Sequence, residues 1–467
     1  MTSKAIINKL NFVIKDKLLL ALFLFAFVSR FYNIVDGFYF DYDQEVVANT
    51  AYNFFKLHGL SFIGQELSFQ GFFLGPLHNW IGFFPYVACN LHPDCSPFFY
   101  GAISALTIIP FYCLIKKLID KKTAVIACII YSISASQINL ERSTNSNFFL
   151  FISSIVLLYS LYKYFEVNEK YLILGAFVAG MATVNFNPVY IFSSLAFFAT
   201  SIFKKRKNYI IFAIAIFTFM VNFFPLLLFN FRHNGIFLNS MVNFIKSNTQ
   251  NAHSSNNPIF LLFHINLPFY ANYLFANGDL VVQLSILILI MISSIYVIKS
   301  KKMHFLLFPA TLMFTYIGLS FYKGHIPDYY FQQTLPFMII LISYIIAKIP
   351  VANYAIPIML ITINANLIIN AKYPLNYQAK KKVVQYIITD SHKQNFNVYY
   401  NLPMGFNTGY NYLFKAYNRN PIDYSENLYI IYTATSDNES IPKAKITYPD
   451  KVIQQKKIDQ INIISIK

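Results

Sequence analysis

Long apolar runs separated by short basic clusters set the rhythm of this chain. A helix needs about 20 apolar residues to cross a bilayer, and Lys and Arg collect at the cytoplasmic ends of such helices. The clusters are Lys4/Lys9/Lys15/Lys17, Lys116/Lys117/Lys121/Lys122, Lys163/Lys170, Lys204/Lys205/Arg206/Lys207, Lys299/Lys301/Lys302 and Lys348. All can face the cytoplasm only if an even number of spans separates successive clusters. Between residues 17 and 116 lie three apolar stretches, at 18–35, 75–91 and 97–115, so one must not cross. The stretch 75–91 carries Gly75, Pro76, His78, Asn79, Gly82 and Pro85, and backbone interrupted in this way sits at membrane depth only where protein buries it. It reads as interfacial or re-entrant. The predicted spans are then 18–35, 97–115, 122–138, 147–165, 171–186, 188–203, 208–230, 280–298, 304–320, 331–348 and 351–371.

Eleven spans put the N-terminus in the cytoplasm. The Lys-rich start lacks a small-residue cleavage site, which favours a retained first helix over a signal peptide. Outside the membrane this leaves a long first loop (36–96), a turn (139–146), a loop of about fifty residues (231–279), a second turn (321–330) and the tail. The tail pairs a helix-like run at 377–390 with the strand-like runs FNVYY, LYIIYTA, KITYP and INIISI. That pattern predicts a small α/β domain. No internal repeat is evident, which weakens a transporter built of inverted halves.

Composition sharpens the division. The chain is 56% hydrophobic and 12% charged, against roughly 25% charged residues in soluble domains, and its mean hydropathy is +0.46. Residues 372–467 nevertheless hold 13 basic and 7 acidic residues, while the preceding 371 hold 24 and 13. A membrane domain, residues 1–372, therefore precedes a soluble one, residues 373–467. The formal net charge is +17, but its basic residues fall in clusters between spans. They form no stripe that could track phosphates, so nucleic acid is excluded as a partner.

Acids are scarce, and Asp36, Asp41, Asp43, Glu45 and Glu66 gather in the first outer loop. If 43–57 is helical, Asp41 or Asp43 stands at the positive end of its dipole. An ionised carboxylate there can serve as general base or bind a divalent cation. Equally, Asp41 with Gln44 three residues on makes a capping box. Five cationic or titratable residues lie on the same outer side: Arg142, Arg232, His233, Lys323 and His325. Cations outside run against the topology bias, and a lipid phosphate would account for them. Snorkelling to headgroups is the plainer account, and Glu141 offers Arg142 an ordinary partner. Cys89 and Cys95 are placed to form a disulfide, whereas Cys113 and Cys128 fall within spans. The nine His show no zinc spacing, and no P-loop, GxGxxG or GxSxG is present.

Three segments carry a family resemblance. FDYDQE followed by LSFIGQELSFQGFFLGPLHNWIGFFPY is similar to the first outer loop of bacterial GT-C glycosyltransferases. These belong to the dolichyl-phosphate-mannose–protein mannosyltransferase superfamily, with its lipid A aminoarabinose transferase branch. SQINLERSTNSNFF resembles that group's outer turn, and FPLLLFNFRHNGIF its P-x-LLFE-x-RH-x-F segment. The resemblance implies a mainly α, polytopic GT-C bundle with a small extracytoplasmic α/β domain. It also implies a polyprenyl-phosphate-sugar donor, inversion at the anomeric carbon and an outer-face active site. The family's first-loop acid maps onto Asp43, with Asp41 and Glu45 adjacent and Glu66 as a looser match. Arg142, Arg232 and Lys323 would then stabilise the departing lipid phosphate. Two departures leave metal dependence undecided: Gln44 stands where many relatives have Glu, and Asn187 where several have His.

The expected function is transfer of one sugar to an envelope acceptor, whether lipid A, another glycan or protein. A bacterial inner membrane is the expected setting, from the Lys-, Asn-, Ile- and Phe-rich usage. The rivals are a flippase or transporter of lipid-linked sugars and a non-catalytic scaffold. A transporter would want ionisable residues at the midplane, and the predicted spans contain almost none. A polymerase or ligase of another membrane class would lean on outer-loop Arg and His instead of a first-loop acid.

Overall fold

The structure, a computed structural model, describes residues 16–466 apart from 58, 60, 68, 205–207, 251–257, 301, 323, 325, 404 and 434–452. Lys4, Lys9, Lys15, Lys205, Arg206, Lys207, Lys301, Lys323 and His325 lie outside the described residues, as does the strand-like run KITYP.

The membrane domain is helical. Its elements are α1 (Lys17–Phe31), α2 (Tyr42–Leu57), α3 (Leu77–Ala88), α4 (Ser96–Leu118), α5 (Lys121–Ile133), α6 (Ala135–Arg142), α7 (Phe148–Glu166), α8 (Tyr171–Asn185), α9 (Ile191–Ser201), α10 (Tyr209–Val221) and α11 (Phe224–Arg232). There follow α12 (Ile236–Gln250), α13 (Leu267–Phe275), α14 (Leu280–Lys299), α15 (Leu307–Ser320), α16 (Leu335–Lys348) and α17 (Ala352–Ile369). Every predicted span coincides with helix. Among the described residues six helices are long and apolar enough to cross by themselves, and eight if α5/α6 and α10/α11 each count as one bent span. The difference from eleven is one of length: α1 has 15 residues, and α8 and α9 are shorter apolar helices that part at Asn187-Pro188. The stretch 75–91 forms only the twelve-residue α3, about 18 Å long, too short to cross. The predicted loop 231–279 is largely helical, and α13 buries Tyr270, Tyr273 and Leu274 in the bundle.

Burial separates the inside of the bundle from its lipid face. The span 328–348 is 89% buried, whereas α14 and α17 are each 22% buried. Large apolar side chains stand exposed on the outer helices, among them Phe217, Val281 and Tyr354. In a bilayer such surface costs nothing, because lipid is as apolar as the side chains. The chain is an integral membrane protein.

The bend between α5 and α6, 56°, occurs at Ser134. Broken helices leave carbonyls and N–H groups unpaired, and in a membrane these must find partners inside the protein. Arg30, 1% exposed, donates to the Tyr131 and Ser132 carbonyls at 2.9 and 2.7 Å. Asn364 accepts from the Ala135 N–H at 3.0 Å and donates to the Leu274 carbonyl at 2.9 Å. Arg30 also pairs with Glu141 at 3.2 Å. The sequence therefore suggests the wrong partner for Glu141: it neutralises Arg30 of α1 and not its neighbour Arg142.

The tail folds as α18 (Tyr377–Asp390), β1 (Phe396–Asn401), α19 (Tyr410–Ala416), β2 (Asn427–Thr433), β3 (Ile453–Ile458) and β4 (Ile461–Ile466). The sheet order is β1-β2-β4-β3, with β1 and β2 parallel and the other pairs antiparallel. Strand β3, IQQKKI, has no counterpart in the predicted strands. It lies at the sheet edge, where exposed Lys456 and Lys457 hide the alternation. One core unites tail and first loop: Phe38 and Phe40 pack with Tyr377, Val383, Tyr412 and Ile463.

Candidate functional site

Helix α2 opens at the end of the first predicted crossing, and Gln44 fixes its start. The Gln44 side chain accepts from the Asp41 N–H at 3.0 Å, which is the reaching-back half of a capping box, and donates to the Ser143 carbonyl. Gln44 thus ties α2 to the turn after α6.

Four of the first-loop acids meet different fates. Asp41 pairs with Lys380 of α18 at 2.6 Å, and Lys380 has no exposed surface. The same ammonium donates to the Phe40 and Thr408 carbonyls at 2.9 Å each. Glu45 accepts from the Gly409 and Tyr412 N–H groups at 2.9 and 3.0 Å, so its carboxylate seats the start of α19. Gly409 is required there, because its φ is +88° and a Cβ would strike the Phe40 carbonyl. Glu66 accepts from the Gly71 N–H at 2.6 Å and closes its own hairpin.

Asp43 differs. Among the described residues it has no ion pair and no backbone N–H donor. It accepts one hydrogen bond, from the Gln65 side-chain amide at 2.5 Å. Burial pushes its carboxyl above the usual range, with the neighbouring Asp41 charge acting the same way, against a lowering by Gln65. A half-buried carboxylate with one hydrogen-bond partner keeps lone pairs open to accept a proton.

Gln65 belongs to a hairpin that links Asp43 to the membrane domain. Gly64 and Leu74 pair across it, and Gly75 donates to the Val184 carbonyl at the end of α8. Phe73 of this hairpin meets Phe229 of α11 edge-on at 5.4 Å. The Arg232 guanidinium lies over the Phe62 ring at 5.6 Å and is exposed, with no acid beside it among the described residues. His233, also exposed, stacks on Phe229 at 4.1 Å. Tyr329, near the second outer turn, lies within electrostatic reach of Asp43.

Arg142 stands elsewhere. It is 3% exposed, donates to the Tyr373 hydroxyl at 2.6 Å and donates to the Tyr32 carbonyl. It braces the start of the first loop against the start of the tail. Among the described residues no group of three His, Cys, Asp or Glu side chains converges as metal ligands would.

Sequence reasoning does not single out Gln65, Lys380 or Arg30. Lys380 is detectable in principle, since it is three residues from Tyr377 and Val383, on the face of α18 that is buried. Gln65 carries no signal, being one polar residue in a loop.

Comparison with known proteins agrees with this architecture. Residues 96–224 match the model of the dolichyl-phosphate-mannose-protein mannosyltransferase family. ArnT from Cupriavidus metallidurans in the apo state aligns at a TM-score of 0.64 and 9% identity, over 96% of this chain and 97% of that one. ArnT from the same organism bound to undecaprenyl phosphate aligns at 0.61 and 10% identity, with the same coverage. The archaeal oligosaccharyltransferase AglB from Archaeoglobus fulgidus, in complex with an inhibitory peptide and a dolichol-phosphate, aligns at 0.50 and 11% identity, over 96% of this chain and 74% of that one. No curated protein matches the chain. The chain thus shares the fold of the ArnT structures over nearly its whole length.

Proposed function

We propose that this protein transfers a sugar from a polyprenyl-phosphate donor to an envelope acceptor on the outer face of a bacterial inner membrane. The observation that carries the reading is Asp43, whose carboxylate, unlike Asp41, Glu45 and Glu66, is committed to neither an ion pair nor a backbone donor. The likeness to an ArnT bound to undecaprenyl phosphate supports the donor class. The Cys89–Cys95 disulfide supports an oxidising, extracytoplasmic setting for the first loop.

In this reading Asp43 takes the proton of the acceptor hydroxyl as it attacks the anomeric carbon. The C–O bond to the lipid phosphate breaks, and the bond to the acceptor oxygen forms with inversion. Arg232, exposed on the adjoining segment, binds the departing phosphate. His233 flanks it, and Lys323 and His325, six and four residues before Tyr329 in the sequence, are the further candidate cations. Fixed cations lower this barrier because charge grows on the leaving oxygen. Asp41, Glu45 and Arg142 hold the first loop to the tail so that Asp43 faces the donor. Residues 1–372 are the catalytic unit, and residues 373–467 lie outside the membrane and brace it.

The test is reconstitution in lipid nanodiscs with a polyprenyl-phosphate-sugar extract and envelope acceptors. Transfer that Asp43→Asn loses and Asp41→Asn retains to a fraction supports the assignment. Full transfer by Asp43→Asn removes it.

A further inference from the structure

The helix that carries Asp43 also forms one wall of a cavity that the transfer step does not use. The cavity is about 460 Å³ in volume, within the range of about 300–1,000 Å³ typical of small-molecule sites. Its α2 wall is Glu45 and Asn49, four residues apart and so on one helix face. Its tail wall includes Asn397, Tyr400, Asn411 and Asn420. Asp43 is turned about 160° from Glu45 around α2, toward the Gln65 hairpin, so the cavity opens on the other side of the helix.

The lining has an unusual chemistry. Small-molecule pockets are mostly apolar, yet only Val398 and Pro421 here are aliphatic. Three of the amides are held through their oxygens. Asn49 Oδ1 accepts from Lys415 at 3.1 Å, Asn411 Oδ1 from the Tyr400 hydroxyl at 3.1 Å, and Asn397 Oδ1 from the Val398 N–H at 2.7 Å. Their Nδ2 groups have no protein partner among the described residues, and each amide offers two N–H donors there. Side chains fixed at one end and open to solvent at the other are donors set in advance for a ligand rich in oxygen. The half-buried Tyr400 ring adds an apolar face of the kind on which sugar C–H surfaces rest.

Charge decides the class further. The Glu45 and Asp423 carboxylates outnumber the Lys415 ammonium in the lining. The latter is directed to Asn49 and over the Tyr52 ring at 3.9 Å. A phosphate or other anion is disfavoured, and a neutral or amino-bearing polyhydroxyl compound fits. A second depression of about 390 Å³ shares Asn397 and Asp423 and extends the surface toward Tyr424 and Glu426. An extended molecule can therefore lie across both.

We propose that this cavity is a saccharide subsite that holds the acceptor glycan at a distance from its reacting hydroxyl. The inference rests on the glycosyltransferase reading above for the word acceptor, but not for the binding itself. The lipid-linked donor enters from the membrane and the hairpin side of α2. The cavity faces the tail, so it serves the other substrate.

The experiment uses the full chain in nanodiscs and, as probe, neutral oligosaccharides released by mild acid from the envelope of the cells that express it. Binding is read by saturation-transfer NMR and native mass spectrometry. Wild type and Asp43→Asn retain an oligosaccharide, and Asn420→Ala and Asn397→Ala weaken it at least tenfold at unchanged Tm. Asn420 is exposed and makes no hydrogen bond to another described residue, so its loss does not perturb folding. In the transfer assay the same variants raise the acceptor KM and leave kcat as it was. Equal binding by the pocket variants, or no binding by wild type, overturns the proposal. So does displacement of the oligosaccharide by envelope peptides, which would make the groove along β1 a peptide site. Asp43→Asn separates the two readings: retained transfer sinks the general base, while its oligosaccharide binding still decides the cavity.

Discussion

At the residue scale, the difference between Asp43 and its three acidic neighbours is a matter of partners, which spacing along the chain does not reveal. FDYDQE announces a cluster of acids at a helix start, and the helix is there. Which acid stays chemically available depends on Lys380 and Gly409, more than 300 positions away. Neutralising Asp43 should reduce kcat by about 10²–10⁴, the usual worth of a positioned base, with Tm preserved. Its pH dependence follows from burial. The active form is the carboxylate, and a raised pKa means that protonation sets in earlier on acidification. The acid limb of kcat/KM should therefore have its midpoint above the ordinary carboxylate value of about 3.9. Gln65→Leu, which removes the hydrogen bond that stabilises the charged form, should move that limb higher still. A limb unmoved by Gln65→Leu would show that a different group controls it.

At the scale of elements, the account predicts where the assembly is held together. Lys380→Met leaves Asp41 without its cation. Breaking a fully buried pair costs about 3–5 kcal/mol. Asp41 is 34% exposed, so solvent screening lowers the expected loss to about 2–3 kcal/mol. The thermal melt should drop accordingly, and the double variant Lys380→Met/Asp41→Asn should recover some of it. In the bundle, Asn364→Leu strips partners from the Ala135 N–H and the Leu274 carbonyl, at about 1–3 kcal/mol for each group left bare. A melt unchanged by Asn364→Leu would contradict its role in sealing the bend. The apolar runs make the helices legible. The bends are not, because Ser134 and Pro225 lie inside stretches that hydropathy reads as continuous. Strand β3 is hidden by its exposed lysines, and α12 and α13 by the polar residues around them.

For the whole molecule, a bundle whose outer helices face lipid carries a tail that closes over the first loop in a single core. The division of charge along the chain sets the apolar helices apart from the tail. That they share a core cannot be read from it, since Phe38 and Tyr377 meet only in three dimensions. Orientation is open to a direct check: peptide mapping of unreduced protein should recover Cys89 linked to Cys95, and free thiols there would place the loop in a reducing compartment. The central claim is transfer from a lipid-linked sugar with Asp43 as base. The measurement that tests it most directly is mass spectrometry of the polyprenyl-phosphate lipids in cells with the wild type, a deletion or Asp43→Asn. The account predicts one lipid-linked monosaccharide accumulating equally in the deletion and the variant, and its mass names the sugar. An unchanged lipid pool together with an intact envelope glycan profile would contradict it.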